Sequence, residues 1–494
     1  MKRLVFQNYI DGRWIPARSR KTGQDRNPAD QRDIVGIFPL SGLEDVEAAV
    51  RSARKALPAW SLVPAPKRGL ILYEIARRLL AHKEDLARLM TREMGKVLEE
   101  ARGDVQEAVD MALYAAGEGR RLFGHTTPSE LPSKFCMSVR RPVGVCAVIT
   151  PWNFPVAVPS WKLFPALLCG NTVVFKPAED SPGTATQLVH IMEQAGVPAG
   201  VVNLIHGDGN TGQALTRHAG IDLVSFTGSC EVGREIAAVC GKNLKKHSLE
   251  LGGKNGQIIL EDADLPLAIE GALWGAFGTT GQRCTATSRL IIQQNIKNRF
   301  LRMFLPAVRE LRIGNGLVRD IQVGPVVNRR QREKIAAYVK TGLREGARLL
   351  AGGKPLASGD FRHGFFFEPT VFDGVKPSMR IAREEIFGPV VSILEATSPE
   401  EAISILNGTC YGLSSSIYTR DVNKAFQAIR DVEAGITYVN GPTIGAEVHL
   451  PFGGVKNTGN GHREAGQTAF DIFTEWKSVY IDYSQKLQKA QIDA

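Results

Sequence analysis

Three side chains in this chain have the type and setting for acyl chemistry. Cys284 lies in Gly281-Gln-Arg-Cys-Thr-Ala-Thr, where small neighbours leave a thiol accessible and close to backbone N–H groups, as a sulfur nucleophile requires. The plainer alternative is a buried, inert cysteine. Glu250 closes an apolar stretch just before Leu251-Gly-Gly, so its carboxylate should be partly desolvated and its pKa raised towards that of a general base. Many glutamates so placed only cap helices. Asn153 follows Pro151-Trp152 at the carboxyl end of the apolar run Val143-Gly-Val-Cys-Ala-Val-Ile, the edge where open α/β sheets place ligands. Asn beside Pro is also a common turn residue.

Two glycine motifs sit between an apparent strand and a helix. Gly207-Asp-Gly-Asn-Thr-Gly212 has the G-x-G-x-x-G form, in which N–H groups at a helix start can meet phosphate. With 50 glycines in the chain a chance match is cheap, and no acidic residue in a clear strand completes the dinucleotide fingerprint. Phe226-Thr-Gly-Ser-Cys-Glu-Val-Gly233 is the second such turn. Either can be merely a tight strand-to-helix connection.

The surrounding pattern supplies a frame for these residues. From about Leu43 to Arg121, apolar residues recur at helical spacing between charges. The stretch Arg121 to Arg141 reads as a loop entering an exposed strand at Phe135, Met137 and Val139, which could pair with another subunit. Short apolar runs at Val143, Thr172, Val201 and Leu223 then alternate with helical stretches, as in βαβ units around a buried parallel sheet. A second α/β block runs from Gln257 to about Val439. Gly- and Pro-rich loops follow from Gly441 to Gly466, and Ser478 to Tyr483 reads as a further strand.

A chain of 494 residues exceeds one ordinary core, so two or three substructures are expected. Its formal charge of +10 comes from 61 Lys and Arg against 51 Asp and Glu, spread along the chain without a cationic run, zinc-finger spacing or RNA-reading motif. That pattern argues against nucleic acid and for a moderate preference for anionic ligands. Seven scattered cysteines without metal-like spacing fit a reducing compartment and no bound metal. The first 14 residues lack a signal-peptide core and no apolar run is long enough to span a bilayer, which points to the cytoplasm.

Seven motifs, in order, closely resemble the aldehyde dehydrogenase superfamily over nearly the whole chain: Pro151-Trp-Asn-Phe-Pro155, Phe175-Lys-Pro-Ala-Glu179, Phe226-Thr-Gly-Ser229, Leu249-Glu-Leu-Gly-Gly253, Gly281-Gln-Arg-Cys284, Glu384-Glu-Ile-Phe-Gly-Pro389 and Pro451-Phe-Gly-Gly454. The resemblance implies an α/β fold with a Rossmann-type cofactor domain (1–122 and 143–252), an α/β catalytic domain (253–445), and a small β oligomerisation arm with a tail (123–142 and 446–494). It implies NAD or NADP as cofactor, a small aldehyde as substrate, and a homodimer or homotetramer. Cys284 matches the nucleophile, and Asn153 with the Cys284 N–H matches the oxyanion hole. Glu250 matches the base for thioester hydrolysis; members that pass the acyl group to coenzyme A typically lack it. Glu385 and Phe387 match positions at the nicotinamide ribose and ring, Lys176 and Glu179 the adenine ribose, and Ser229 the pyrophosphate site. Thr150, Pro151, Trp152, Gly209, Phe226, Gly228, Gly233 and Leu251 complete the expected cofactor set, with Gly207 to Gly212 flanking adenine. Glu179 should favour NAD by repelling a 2′-phosphate, with Lys176 offsetting part of that repulsion.

Two positions depart from the commoner pattern: Cys230 where many relatives have Thr, and Arg283 before the nucleophile. Arg283 and the loop Pro442 to His449 are most similar to semialdehyde-oxidising branches, which makes Arg283 a candidate for binding an anionic substrate group. The competing placement for Arg283 is an ion pair within the scaffold. Two other functions remain as alternatives. A cysteine hydrolase would need a histidine oriented by Asn or Asp, and a binding protein on the same scaffold would have lost one of the three reactive residues.

Overall fold

The computed structural model describes residues 4–492; the outermost residues of the expected first unit and tail, 1–3 and 493–494, lie outside that range. Two seven-stranded sheets dominate the fold. In the first, Lys246–Glu250, Leu223–Thr227, Val145–Ile149, Thr172–Lys176 and Val202–Leu204 run parallel, side by side in that order. Their residues are almost all buried, which is why they read as unbroken apolar runs. Succession along the chain moves outward from Val145–Ile149 in one direction and then returns to its other side at Leu223–Thr227. The crevice at that reversal, beyond the carboxyl ends of both strands, is where such a sheet binds ligands.

The amino-terminal hairpin Asn8–Ile10 and Arg13–Ile15 extends this sheet antiparallel, an addition the sequence pattern did not reveal. Strands of 3 residues are too short to show a period. The expected helical region holds four helices, Leu43–Leu62, Ala65–Ala81, Lys83–Met94 and Leu98–Glu118. In the first of them Val46, Ala49, Val50 and Ala53 form the buried stripe.

The second sheet has the order Arg348–Ala351, Thr370–Asp373, Val390–Ala396, Thr287–Gln293, Asn255–Ile259, Ser414–Tyr418 and Ile436–Val439, parallel except for its first pair. The two strands expected near Phe135 and Ser478 are neighbours within this one chain. Lys134–Pro142 pairs antiparallel with Thr474–Asp482 along its full length, with Ser138 opposite Ser478. No helix among the described residues is long and apolar enough to cross a membrane.

The helix Ala157–Leu168, buried along its length, begins just after Asn153 and fixes that residue's position. Its start is held by Asp104, which accepts from the Ala157 N–H at 2.7 Å and from the Lys96 ammonium at 2.8 Å, with both ionic side chains fully buried. Lys96 Nζ lies 3.7 Å from the centre of the Phe154 ring. Removing one member of such a pair leaves a buried charge uncompensated. Asp104→Ala should therefore destabilise the protein by about 3–5 kcal/mol, seen as a lower thermal unfolding midpoint, and Lys96→Met in that background should recover part of the loss. An unchanged midpoint in Asp104→Ala would show that the pair contributes nothing net.

Candidate active site

At the crevice of the first sheet lies a groove of about 350 Å³. Thr150, Pro151, Trp152, Lys176, Glu179, Gly209, Phe226, Gly228 and Ser229 all line it, so the structure gathers most of the expected cofactor residues into one channel. Ser229 caps the helix Cys230–Lys242, whose free N–H groups open at the middle of the groove. Lys176 Nζ lies 3.7 Å from Glu179 Oε2, with the carboxylate half exposed, as suits a ribose contact in water. Between the helices Gly209–Arg217 and Cys230–Lys242 the walls are Gly212, Val232 and Ile236, flat enough to admit a base. A helix start with free N–H groups, a Lys–Glu pair and an apolar slot in one groove fit a dinucleotide.

Gly233 and Leu251 play a different part. They do not line the groove: a Cβ on Gly233 would come within 2.5 Å of Leu251, so this glycine serves helix packing.

Glu385 and Phe387 stand at the other side with Cys284, around a small cavity of about 20 Å³. Phe387 adopts a left-handed backbone at φ 60°, its carbonyl bonded to Gln331 at 2.6 Å, and its ring meets Trp152 edge-on at 5.5 Å. The groove from the first sheet therefore runs up to the segment that carries the thiol.

Cys284 is half-buried, and its backbone carbonyl accepts from Asn255 Nδ2 at 2.7 Å. Gly253 makes this approach possible, since a Cβ there would stand 2.6 Å from the same carbonyl. Asn153 Nδ2 donates to the Gln282 carbonyl at 3.0 Å, which ties Asn153 to the turn that carries Cys284. The thiol is pushed up to about 12, first by burial and then by the carboxyl groups of Glu385 and Glu250. No histidine is among the main groups that shift it in either direction, whereas the paired imidazole of a cysteine hydrolase would pull the thiol down.

Glu250 ends the strand Lys246–Glu250 and is buried, with neither carboxyl oxygen hydrogen-bonded among the described residues. Burial, reinforced by Glu464, holds its pKa well above the usual range, while Lys162 and Arg463 pull the other way. The Pro451–Gly454 motif packs against it: a Cβ on Gly453 would fall 2.7 Å from Glu250 Oε1. Lys162 and Glu464 form a buried ion pair beside it, and Lys162 also reaches Ser225 at 3.2 Å. Sequence reasoning missed this pair. The available signal was a lysine inside an otherwise apolar helix, since a buried charge needs a partner.

Arg283 departs from a free, substrate-facing cation. Its Nη2 donates to Glu100 at 2.8 Å and its Nε to Thr279 Oγ1 at 2.9 Å, and the guanidinium lies near the rings of Phe154 and Trp274. Glu100, too, was not foreseen. Lys254, between the two sheets, is fully buried with its Nζ unpartnered among the described residues and is pushed down to about 7 by burial. No cluster of His, Cys, Asp and Glu among those residues could hold a metal ion.

Residues 14–479 match the profile of the Aldehyde dehydrogenase family. The chain belongs to the aldehyde dehydrogenase family. It is 42% identical to the α-ketoglutaric semialdehyde dehydrogenase of Bacillus subtilis over 478 residues, covering 97% of this chain and 98% of that protein. It is 40% identical to the 2,5-dioxopentanoate dehydrogenase of Saccharolobus solfataricus, covering 96% and 99%. Among solved structures, betaine aldehyde dehydrogenase from Staphylococcus aureus in complex with NAD+ superposes with a TM-score of 0.95 at 36% identity, covering 97% of this chain and 96% of that one.

Because Glu385 is the leading charged contributor to the high thiol pKa, neutralising it should release the thiolate more readily. Alkylation of Cys284 by iodoacetamide, followed by peptide mass, should therefore shift to lower pH in Glu385→Gln than in wild type. A profile unmoved or moved upward would mean that the carboxyl does not face the sulfur.

Proposed function

We propose that this aldehyde dehydrogenase oxidises a carboxylate-bearing aldehyde to the corresponding acid with NAD(P)+, using Cys284 as nucleophile, Asn153 as oxyanion donor and Glu250 as the base for hydrolysis. One observation carries the reading: the Cys284 segment, tied to Asn153 through Gln282, lies within electrostatic range of a buried Glu250 whose oxygens have no hydrogen-bond partner among the described residues.

In the first step the sulfur adds to the aldehyde carbon, and the carbonyl oxygen becomes an alkoxide met by Asn153 Nδ2 and the Cys284 N–H. The thiol proton passes to solvent water as the C–S bond forms, since only the thiolate is a competent nucleophile. A dinucleotide held in the groove would accept the hydride from the former aldehyde carbon, and Cys284 would then carry the acyl group as a thioester. Glu250 then takes a proton from water as that water attacks the thioester carbon, and the C–S bond breaks to release the acid and the thiolate. A carboxyl with a raised pKa is a stronger base once ionised, so hydrolysis should quicken with rising pH until Glu250 is fully ionised.

The cofactor residues are Thr150, Pro151, Trp152, Lys176, Glu179, Gly209, Phe226, Gly228 and Ser229 along the groove, with Glu385 and Phe387 at the nicotinamide end. NAD is used at least as well as NADP, since Glu179 repels a 2′-phosphate while Lys176 offsets part of that repulsion and leaves room for both. Support for a semialdehyde comes from the names of the relatives and from Arg283, which keeps N–H groups beyond the two it commits to Glu100 and Thr279. Apolar side chains exposed on the three-stranded arm, Phe135, Trp476, Tyr480 and Ile481, support association into a dimer or tetramer. The seven free cysteines accord with the cytoplasm.

Hydride transfer precedes hydrolysis in this sequence. Glu250→Gln should thus give a single-turnover burst of NADH close to wild type, with steady-state turnover reduced by roughly 10²–10⁴. Loss of the burst with normal cofactor binding would place Glu250 earlier in the reaction.

For the substrate, kcat/KM on glutaric semialdehyde and pentanal should be compared in wild type and Arg283→Met. A charge-assisted hydrogen bond contributes roughly 1.5–3 kcal/mol, about one to two orders of magnitude, so the loss on the charged aldehyde should exceed that on pentanal about tenfold. Equal losses would leave Arg283 with no part in recognition.

A further inference from the structure

Immediately before the nucleophile the backbone does something unusual. Thr279 (φ 49°, ψ 30°), Thr280 (φ 58°, ψ 34°) and Gly281 (φ 66°) are three successive residues in the left-handed region. Glycine tolerates this, and here it is required twice over: a Cβ on Gly281 would also fall 2.2 Å from the Gly388 carbonyl. For two β-branched threonines the same conformation is disfavoured and persists only where its surroundings impose it.

The imposing group on Thr279 is Glu100, in the first turn of the helix Leu98–Glu118. Both of its oxygens accept from the Thr279 N–H at 2.9 Å, and Oε2 also accepts from Thr279 Oγ1 at 3.1 Å. Arg283 closes the loop by donating to Glu100 and to Thr279 Oγ1. The Thr279 carbonyl, turned inward by this geometry, accepts from the Gln282 N–H at 3.0 Å. Gln282 in turn offers its own carbonyl to Asn153. One carboxylate thus governs a path from Thr279 through Gln282 to the oxyanion donor, on the turn that leads into Cys284.

We infer that Glu100 is a positioning residue: it holds the left-handed turn Thr279–Gly281 and thereby sets Cys284 and Asn153 in their reactive relation, for charged and uncharged aldehydes alike. The inference rests on Cys284 being the nucleophile. Glu100 acts through the turn and touches neither substrate nor cofactor. Arg283 belongs partly to this clamp, so the share of an Arg283→Met loss common to both aldehydes reads its positioning role, and the excess on the charged aldehyde reads recognition.

The test compares wild type, Glu100→Gln, Glu100→Ala and the double variant Glu100→Ala/Thr279→Gly. The readouts are iodoacetamide alkylation of Cys284, single-turnover NADH formation with pentanal and with glutaric semialdehyde at saturating NAD+, and NAD+ affinity. Glu100→Ala should slow alkylation and single turnover at least tenfold on both aldehydes, with NAD+ affinity unchanged. Glu100→Gln, which keeps an acceptor for the Thr279 N–H, should lie between Ala and wild type and serves if the alanine variant fails to fold. Glycine at 279 adopts the left-handed turn without an external clamp, so the double variant should recover at least threefold of the loss, which a merely packing role would not allow. Wild-type rates in Glu100→Ala, a loss confined to the charged aldehyde, or no recovery on adding Thr279→Gly would each overturn the inference. Cys284→Ser separates the two levels: if it keeps turning over, the nucleophile assignment fails, whereas its inactivity beside a wild-type-like Glu100→Ala removes only the clamp.

Discussion

Leu251 to Lys254 join the last parallel strand of one sheet, Lys246–Glu250, to the first strand of the other, Asn255–Ile259, and so short a crossing leaves little freedom in how the two sheets meet. Glu250 must sit at the seam. Asn255 opens the next strand opposite Thr287, so its amide reaches the Cys284 carbonyl, and the Glu250 carboxyl comes close enough to raise the pKa of the thiol. Two glycines make the seam passable. At Gly252 a Cβ would stand 2.5 Å from Glu385, and at Gly253 it would stand 2.6 Å from the Cys284 carbonyl.

That convergence creates an electrostatic difficulty which the site uses. Three acids, one thiol (Cys284) and two carboxyls (Glu250 and Glu385), are crowded where water cannot stabilise several negative charges, and each is held in its protonated form more firmly than in solution. The crowding raises the cost of ionising any one of them. It also means that activation has to come from fixed dipoles and from the cations nearby, such as Lys162 and Arg463 beside Glu250. The turn that aims Cys284 is held from a third direction, the helix Leu98–Glu118, through Glu100. Sheet seam, loop and helix each constrain one coordinate of the same few atoms.

The motifs were legible because each pairs a reactive side chain with the small residues that let backbone approach it. Pro151–Pro155, Leu249–Gly253, Gly281–Cys284 and Glu384–Pro389 meet at one place, and the alternation of apolar runs with helices already implied parallel sheets. What escaped notice was of two sorts. The hairpin Asn8–Ile10 and Arg13–Ile15 is too brief to show a period, and its place at the edge of the first sheet depends on pairing across the chain. Lys162, Glu464 and Glu100 are ordinary charged residues whose meaning arises only from partners far away in sequence.

Taken alone, the order of residues determined the fold class, the position of the thiol, the carboxylate and the amide along the chain, and the groove-lining turns, because backbone periodicity and steric permission are local properties. Tertiary structure decided which charges neutralise which. Arg283 could have faced substrate or joined an ion pair of the scaffold, and Glu100, approaching from a helix folded against its turn, takes part of its bonding. The strand near Phe135 looked open to a neighbour, yet Thr474–Asp482 of the same chain fills one of its edges and itself becomes the outer strand of the arm. Charge pairing and strand pairing are satisfied by whatever lies nearest in space, and proximity across hundreds of residues is a property that only the completed fold possesses.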